Sequence, residues 1–481
     1  MPTRMRLVLP PVASLQPAMS WRARITALIV ACALFMQNLD STVVATALPA
    51  MARAFHADPV HMSMALTSYM LSLSVFIPAS GWVADRFGSR SVFRAAIIVF
   101  TLSSVLCGRA GSLWFLVLAR ILQGMGGAMM VPVGRLVLLR TVAKSELVAA
   151  MAWLSIPALL GPVLGPPVGG FIVTYVSWHW IFDINVPIGV LGAVLVTLYI
   201  GETAGKEAKP FDWAGLGFTA VSLVALLIGL ESASRDVLPW PESAGLLAIG
   251  AAAGLAYWFH ARATEHPLVD LGLLRIPTFG LSVAAASLFR IGIGAVPFLL
   301  PLLLQVGFGK SAAESGLITF ASSAGALVMK PAAQYALRKF GFRATLVCNG
   351  AISVITIALM AGFRPAWPVA AIYGVLLTGG FFRSLQFTAF NSIAFADIPP
   401  AKMSAATSFY STAQHLSLTA GVAAGAAALE ISSKLFGHAP PSLGDYSFAF
   451  LAVAAVAMFS VPVSMRLAAD AGVELSGQPV R

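Results

Sequence analysis

The sequence contains very little charge. Only 10% of its 481 residues are Asp, Glu, Lys or Arg, whereas 58% are hydrophobic and the mean hydropathy is +0.86. A soluble protein of this length would carry roughly a quarter charged residues to cover its water-facing surface. The shortage of charge therefore excludes a soluble multidomain protein and predicts an all-α integral membrane protein.

Cysteine is also scarce. Cys32, Cys107 and Cys348 each lie inside an apolar run, with no CxxC pair and no His or Cys companion at metal-ligand spacing. A disulfide framework and a metal site are therefore not expected. The sequence also has no Walker A stretch, HExxH motif or nucleophile elbow, so we predict neither an enzyme nor a bound cofactor. Because the chain has no site for ATP, any active transport would be driven by an ion gradient.

Acidic residues are fewer than basic ones, 19 against 30, which gives a formal net charge of +11. Such an excess can indicate nucleic-acid binding. Here most Lys and Arg residues stand in short gaps between apolar runs, where they orient a membrane protein. The expected partner is the lipid bilayer, and no nucleic-acid partner is expected.

Apolar runs long enough to cross a bilayer fill most of the chain. The first run lacks a small-residue cleavage site, so we interpret it as a retained span and not as a signal peptide. Basic residues are concentrated in alternate gaps, including the one before the first run, which predicts that both termini are cytoplasmic. The 14 predicted spans lie at 25–48, 61–83, 91–109, 113–135, 148–173, 181–200, 212–231, 243–260, 278–305, 311–336, 343–362, 367–394, 404–431 and 447–467.

An internal repeat divides the chain. The gap after the second span reads DRFGSR (Asp85 to Arg90), and the gap after the tenth reads RKFGFR (Arg338 to Arg343). If these gaps are equivalent, each half is a six-helix bundle, and the seventh and eighth spans are inserted between the halves. The predicted boundaries are 1–205 for the N-terminal bundle, 206–276 for a linker with two extra spans, and 277–481 for the C-terminal bundle. The substrate path is then expected between the bundles.

Two charged residues inside spans are candidates for proton coupling. Asp40 lies past the middle of the first span, where a charge is costly unless it has a function, a partner or water. Because an apolar cavity disfavours the charged form of a carboxyl group, Asp40 is our first candidate for a proton carrier. Arg120, in the fourth span, needs a carboxylate, a carbonyl or water, and Asp40 is a plausible partner. The alternative is that Asp40 only pairs with an arginine to hold helices together.

Arg290 in the ninth span and Arg383 in the twelfth span are further charges inside apolar runs. Each either binds an anionic group or anchors a hydrogen-bond network. Other residues either line a substrate cavity or join helices through buried contacts. They are Gln37, Asn38, Gln123, Phe298, Gln305, Gln386, Asn391 and Gln414.

The fifth span contains LLGPVLGPPVGGF (Leu159 to Phe171), in which Gly161, Gly165 and Gly169 recur on one helical face. Such a face permits close approach between helix backbones. Packing alone would explain it.

The loop GWVADRFGSR (Gly81 to Arg90) places Asp85, Arg86 and Arg90 at the predicted cytoplasmic end of two helices. An acidic residue with basic partners across this gap can join two bundles and release them. We call residues 81–90 the gating loop.

Four segments resemble the signature motifs of the major facilitator superfamily: LDSTVVATALP, GWVADRFGSR, LARILQGMGGAMMVP and LLGPVLGPPVGG. They look like those of its 14-helix drug:proton antiporters, the EmrB/QacA type. The resemblance implies a major facilitator fold in the bacterial inner membrane. It also implies export of small organic molecules, including multiple drugs, by proton antiport with alternating access.

The resemblance also assigns roles to residues. It implies proton coupling for Asp40 and for Arg120 in the fourth-span motif. Ser89 stands where a basic residue is usual, and His179 gives WHWIF where WRWIF is common. The gating motif corresponds to Gly81, Asp85, Arg86, Gly88 and Arg90, and the antiport motif to Gly161, Pro162, Gly165, Gly169 and Gly170.

Two other functions stay open at this stage. One is export or import of a single anionic metabolite, which Arg290 and Arg383 would favour. The other is a membrane scaffold or sensor, which would usually carry a sizeable soluble domain that this sequence does not show. The sequence does not determine the substrate, the proton stoichiometry, the oligomeric state or the need for a periplasmic adaptor.

Overall fold

The computed structural model describes residues 19–55, 64–143, 146–201, 210–235, 239–310, 312–437 and 441–476. Helices make up nearly all of this part, and it contains no β-strand. The helices of the first eight spans are α1 (Trp21–Ala54), α2 (Met64–Phe76), α3 (Ser80–Phe87), α4 (Ser89–Gly108), α5 (Leu113–Thr141), α6 (Leu147–Tyr175), α7 (Trp180–Asp183), α8 (Asn185–Tyr199), α9 (Trp213–Arg235) and α10 (Trp240–Ala263). Those that follow are α11 (Pro277–Leu302), α12 (Ala312–Met329), α13 (Ala333–Met360), α14 (Val369–Ile393), α15 (Met403–Phe436), α16 (Leu443–Met458), α17 (Ser460–Met465) and α18 (Val473–Ser476).

Within the described residues, every predicted span lies on one helix or on two helices in succession, and α13 is shared by the tenth and eleventh spans. The second span, for example, runs through α2 and a 3-10 turn at Ile77–Ala79 into α3. Pro78 lacks the backbone N–H that a continuous α-helix would use at this point. Nine helices in the described residues are long and apolar enough to cross a membrane. The prediction of an all-α membrane protein is confirmed.

The outer surface suits a bilayer. Large apolar side chains point outward along the helices, including Leu118 at 62% exposure and Leu198 at 69%. Exposed tryptophans mark both ends of the bundle, as interfacial belts do in membrane proteins. Trp21 packs edge-on against Tyr199 at one end, with ring centroids 6.0 Å apart, and Trp114 is exposed at the other.

The helices pack in two groups, and a further pair of helices packs beside them. In the N-terminal half, α1–α8, the closest partners are α1 with α6, α4 with α5, and α2 with α5. In the C-terminal half, α11–α17, they are α11 with α15, α12 with α14, and α13 with α14. The inserted helices α9 and α10 pack on each other, and α9 also contacts α2 and α15. The inserted pair therefore lies alongside the junction of the two halves.

The two repeated loops share an unusual backbone conformation. Gly88, between α3 and α4, has φ = 81°, and Gly341, inside α13, has φ = 76°. Both values lie in the left-handed region, which glycine adopts without a steric penalty. The equivalence that the sequence suggests for these loops therefore extends to their geometry.

Candidate transport site

A buried ion pair joins the first span to the fourth. Arg120 of α5 donates from Nη1 to Oδ2 of Asp40 on α1 at 2.6 Å, and both side chains are completely buried. Two charges removed from water are stable only when they are close and their other hydrogen-bonding groups have partners. The structure thus brings together the two residues singled out for proton coupling.

Neighbouring polar side chains complete the surroundings of the Asp40 carboxylate. Gln123 and Asn185 each donate to Oδ1 at 3.0 Å, and both also donate to Ser104 Oγ, at 2.7 and 3.3 Å. Gln123 also accepts from Arg120 at 2.6 Å. The network joins α1, α4, α5 and α8. Sequence reasoning missed Asn185 and Ser104, although an Asn at the start of an apolar helix was an available signal.

Arg120 is anchored independently of Asp40. Its Nε donates to the carbonyl oxygen of Ala65 at 3.0 Å, and its guanidinium lies 4.2 Å from the centroid of the Tyr69 ring. Such a cation–π contact favours the charged group at this position. If Asp40 lost its charge, these contacts would keep the Arg120 guanidinium buried against α2, where it would have no counter-charge.

The glycine face of the fifth span packs on the helix that carries Asp40. A Cβ at Gly161 would lie 2.7 Å from the Cβ of Asn38, and a Cβ at Gly165 would lie 1.9 Å from Oγ1 of Thr42. Both distances are below 3.0 Å, which real Cβ atoms essentially never show. Only glycine therefore allows α6 to approach α1 this closely.

The gating loop connects the two halves at one end of the molecule. Asp85 accepts from Arg140 of α5 at 2.8 Å and from the hydroxyl of Ser404 on α15. A Cβ at Gly81 would lie 2.8 Å from the carbonyl oxygen of Ser404. Ser408, one turn further along α15, donates to two carbonyl oxygens of the 3-10 turn at 2.9 and 2.7 Å. This end, which the sequence predicts to be cytoplasmic, is closed in the structure.

The other residues of the gating motif act within their own half. Gly88 supplies the left-handed turn described above, and Arg90 donates to the carbonyl oxygen of Thr197 on α8. Arg86 is exposed. Contacts across the halves therefore come from Gly81 and Asp85.

Arg135 lies where the sequence did not place it. The predicted fourth span ends at residue 135, and the pattern of basic residues places Arg135 in the cytoplasmic gap that follows. The structure instead places Arg135 inside α5, which continues to Thr141, and leaves it only 4% exposed. Arg135 donates to Ser411 Oγ and Gln414 Oε1 of α15, each at 3.3 Å. It therefore crosses from one half to the other.

Arg290 faces the same region from the C-terminal half. Its Nη2 donates to the hydroxyl of Tyr410 at 2.6 Å, and its guanidinium lies 4.6 Å from the centroid of that ring. The guanidinium of Arg135 lies 5.1 Å from the same centroid. Within the described residues, Nε and Nη1 of Arg290 and Nε of Arg135 have no hydrogen-bond partner.

The twelfth span repeats the Arg-x-x-Gln spacing that begins at Arg120 in the fourth. Arg383 donates to Ser322 Oγ at 2.9 Å, and no carboxylate lies within ion-pair distance of it in the part of the chain described. Gln386 is completely buried and accepts from Asn349 at 2.7 Å. In this state Gln386 therefore joins helices, which is one of the two alternatives left open for it.

The remaining candidates are scattered. Asn38 donates to the carbonyl oxygen of Leu34 in its own helix at 2.8 Å. Gln37 Oε1 and Asn391 Oδ1 are buried without a hydrogen-bond partner among the described groups, and Phe298 is partly buried against the core. Gly169 is buried in α6. Pro162, Gly170 and Gln305 lie in described helices, but their contacts are outside what the structure describes.

His179 lies at the opposite end from the gating loop. Its Nδ1 is 2.7 Å from Ser177 Oγ, and its ring stacks on Trp178. Burial lowers the pKa of His179, and the nearby charge of Arg109 lowers it further, against the opposing effect of Asp183. The neutral imidazole is therefore favoured at neutral pH.

Known proteins are similar to this chain in sequence. The family model for the Major Facilitator Superfamily matches residues 30–422. A relative named "Putative multidrug resistance protein MdtD" from Salmonella paratyphi A is 41% identical over 396 residues, which cover 82% of this chain and 84% of the relative. The protein of the same name from Salmonella typhimurium matches with the same identity and coverage.

Solved structures show the same fold at low sequence identity. The human organic anion transporter MFSD10 (TETRAN) superposes with a TM-score of 0.66 at 14% identity, over 92% of this chain and 99% of that one. The proton:xylose symporter XylE gives 0.63 at 15% identity, over 91% and 94%. The chain therefore belongs to the major facilitator superfamily, as a multi-pass membrane transporter of small molecules and not an enzyme.

Proposed function

We propose that this protein exports small organic molecules across the bacterial inner membrane in exchange for protons. Both termini would be cytoplasmic, and the bundles 1–205 and 277–481 would alternate around a central path, joined by the linker 206–276. The observation that supports the proposal best is the Asp40 carboxylate held inside the membrane-spanning bundle by Arg120. The name of the Salmonella relatives supports drug export.

Protonation of Asp40 would act through the ion pair. It would remove one charge of the pair and leave the charge of Arg120 uncompensated between α1, α2 and α5, which costs several kcal/mol in a buried site. That cost would favour a second arrangement in which water or other groups reach Arg120. Because α5 packs on α1, α2 and α4 of the site and also on α15 of the opposite half, the rearrangement would not stay local.

The helix α5 connects the proton site to the gating loop. Arg120 and Arg140 lie on this one helix, about 30 Å apart at a rise of about 1.5 Å per residue. Arg140 holds Asp85, which in turn contacts Ser404 of the opposite half. A shift of α5 would therefore weaken the closed end. Because α6 packs closely on α1 through Gly161 and Gly165, a movement of α1 at Asp40 would also displace α6.

We propose an order of events that fits this geometry. In the state described, the gating end is closed and Asp40 is 1% exposed. A proton arriving from the other end would neutralise Asp40 and favour opening of the gating end. Release of that proton to the cytoplasm would restore the ion pair after substrate has bound. The competing view, that Asp40 only holds helices together, requires no state in which water reaches it.

Inverted membrane vesicles test the proposal directly. Respiration acidifies their lumen, a fluorescent weak base reports the gradient, and antiport appears as its partial collapse when substrate is added. We expect at least one compound in a panel of lipophilic cations, neutral drugs and organic anions to collapse the gradient. Asp40→Asn should abolish this response at equal expression.

The control is Asp470→Asn, the same chemical change at an exposed position. It should leave the response intact. If no compound in the panel collapsed the gradient, proton antiport would be wrong. An undiminished response in Asp40→Asn would exclude Asp40 as the coupling residue.

A further inference from the structure

Two buried arginines meet around one tyrosine at the junction of the halves. Arg135 comes from α5 and Arg290 from α11, and their guanidinium groups lie 5.1 and 4.6 Å from the Tyr410 ring centroid. They are 4% and 1% exposed. Neither approaches a carboxylate within ion-pair distance in the described residues, where their polar contacts are hydroxyl and amide groups.

Among the residues that the structure describes, no buried acidic side chain is available to neutralise them. Asp40 is already bonded to Arg120. The other buried carboxylate of the described chain, Asp445, belongs to a helix cap and accepts from Ser432 at 2.6 Å. Two adjacent cations without a counter-charge are costly to bury. A protein that retains such an arrangement gains something from it in another state.

The unused donors show what would satisfy the arginines. Nε and Nη1 of Arg290 and Nε of Arg135 lack partners in the described part of the chain. The hydroxyl of Tyr410 accepts from Arg290, so its own hydrogen is available for donation. Planar guanidinium groups match the two oxygens of a carboxylate better than any neutral or cationic group.

We propose that Arg135, Arg290 and Tyr410 form a binding site for the carboxylate groups of an organic anion, the transported substrate. This inference rests on the proposed function and names its substrate class. It also assigns a role to Arg135, which the pattern of basic residues alone places at the cytoplasmic end of the fourth span. Arg383 adds positive charge to the same half, with Ser322 as its hydrogen-bond partner.

The position of the site suits loading from the gating end. Arg135 reaches Ser411 and Gln414 only because α5 and α15 are in contact. Opening the gating end separates these helices, frees the Arg135 donors and exposes Arg290 behind them. An entering carboxylate then replaces the contacts between the halves. In the structure described, the contacts of α5 with α15 thus hold the site closed.

A purely structural role for the pair makes a different prediction. If Arg135 and Arg290 only hold the halves together, anions have no preference for the protein. Equilibrium binding separates the two roles. The purified full chain in detergent at constant pH and ionic strength would be titrated with benzoate, succinate and citrate, and with tetraphenylphosphonium as a cationic probe. Isothermal titration and thermal shift would report binding.

We expect at least one carboxylate to bind saturably. Arg290→Gln and Arg135→Gln should each weaken that binding roughly 10- to 100-fold, because each removes hydrogen bonds between charged groups. Arg290→Lys, which keeps the charge, should retain part of the affinity. The matched control is Arg262→Gln, at an exposed position on α10, and it should bind like the unchanged protein. Gel filtration and thermal unfolding would verify that each variant is folded.

Three results would overturn the inference. They are the absence of binding by all three carboxylates, binding of tetraphenylphosphonium alone, and carboxylate binding that is equal in Arg135→Gln, Arg290→Gln and the unchanged protein. The measurement needs no proton gradient, and Asp40→Asn should still bind the carboxylate. Failure of proton coupling would therefore leave the anion site intact, and failure of the anion site would leave the coupling test unaffected.

Discussion

Replacing one partner of the Asp40–Arg120 pair should lower the free energy of unfolding far more than replacing both partners together. The carboxylate receives donors from Arg120 at 2.6 Å and from Gln123 and Asn185 at 3.0 Å, in a fully buried site. Arg120→Gln leaves the carboxylate charge without its cation, and Asp40→Asn leaves the guanidinium without its anion. Each change should lower the free energy of unfolding by about 3–5 kcal/mol.

The double variant removes both charges and keeps a polar side chain at each position. If the two costs were independent, their sum would be about 6–10 kcal/mol. We expect the double variant to lose less than about 3 kcal/mol, because no uncompensated charge remains in the bundle. Equilibrium unfolding of the four proteins by increasing SDS in mixed micelles measures these free energies. Additive costs would refute the view that the two charges stabilise each other directly.

Three further changes test other parts of the structure. Asp85→Asn should weaken the contacts with Arg140 and Ser404 and open the gating end, seen as at least a severalfold faster thiol labelling of a Thr407→Cys probe on the buried face of α15; an unchanged rate would contradict the gating role. Gly165→Leu should abolish transport while membrane insertion persists, because α6 can no longer approach α1; normal transport would show that this contact is dispensable. Burial alone would raise the pKa of Asp212, but hydrogen bonds from two backbone N–H groups and from His260 lower this pKa overall. The ionised Asp212 therefore stabilises the folded protein above the ordinary carboxyl range, and this stabilisation is lost as the pH falls through the lowered pKa. Asp212→Asn should therefore cost about 1–3 kcal/mol at pH 7, with the difference disappearing only in strong acid, and equal stability at pH 7 would contradict this.

The fold was predictable because hydropathy decides it. Apolar runs about 20 residues long have few stable conformations other than a helix in a membrane, so the spans could be placed without contact information. Their ends were less certain. α5 continues past residue 135 because the residues that follow, LVLLRT, include no proline or glycine, whereas the charge of Arg135 indicates a gap between spans. A basic residue marks the membrane surface only when it faces outward, and periodicity did not show which way Arg135 faces.

The site was predictable in part, for a related reason. A lone Asp and a lone Arg inside spans are costly enough to be noticed, and they pair in the structure. Asn185 and Ser104 carry no charge and are common in membrane helices, so the sequence did not distinguish them. The meeting of Arg135 with Arg290 depends on how the two halves pack. Arg135 and Arg290 are far apart in the sequence, so the sequence gives no indication that they meet.

The central claim is that the protonation state of Asp40 sets which end of the transporter is open. Phe87 and Phe340 flank the two repeated glycines, belong to opposite halves and are each 59% exposed. Spin labels on Phe87→Cys and Phe340→Cys, in a chain without its three native cysteines, allow their separation to be measured by pulsed electron paramagnetic resonance. The account predicts a longer separation at pH 5 than at pH 8, and no pH response when Asp40→Asn is added. The same pH response with and without Asp40→Asn would contradict it.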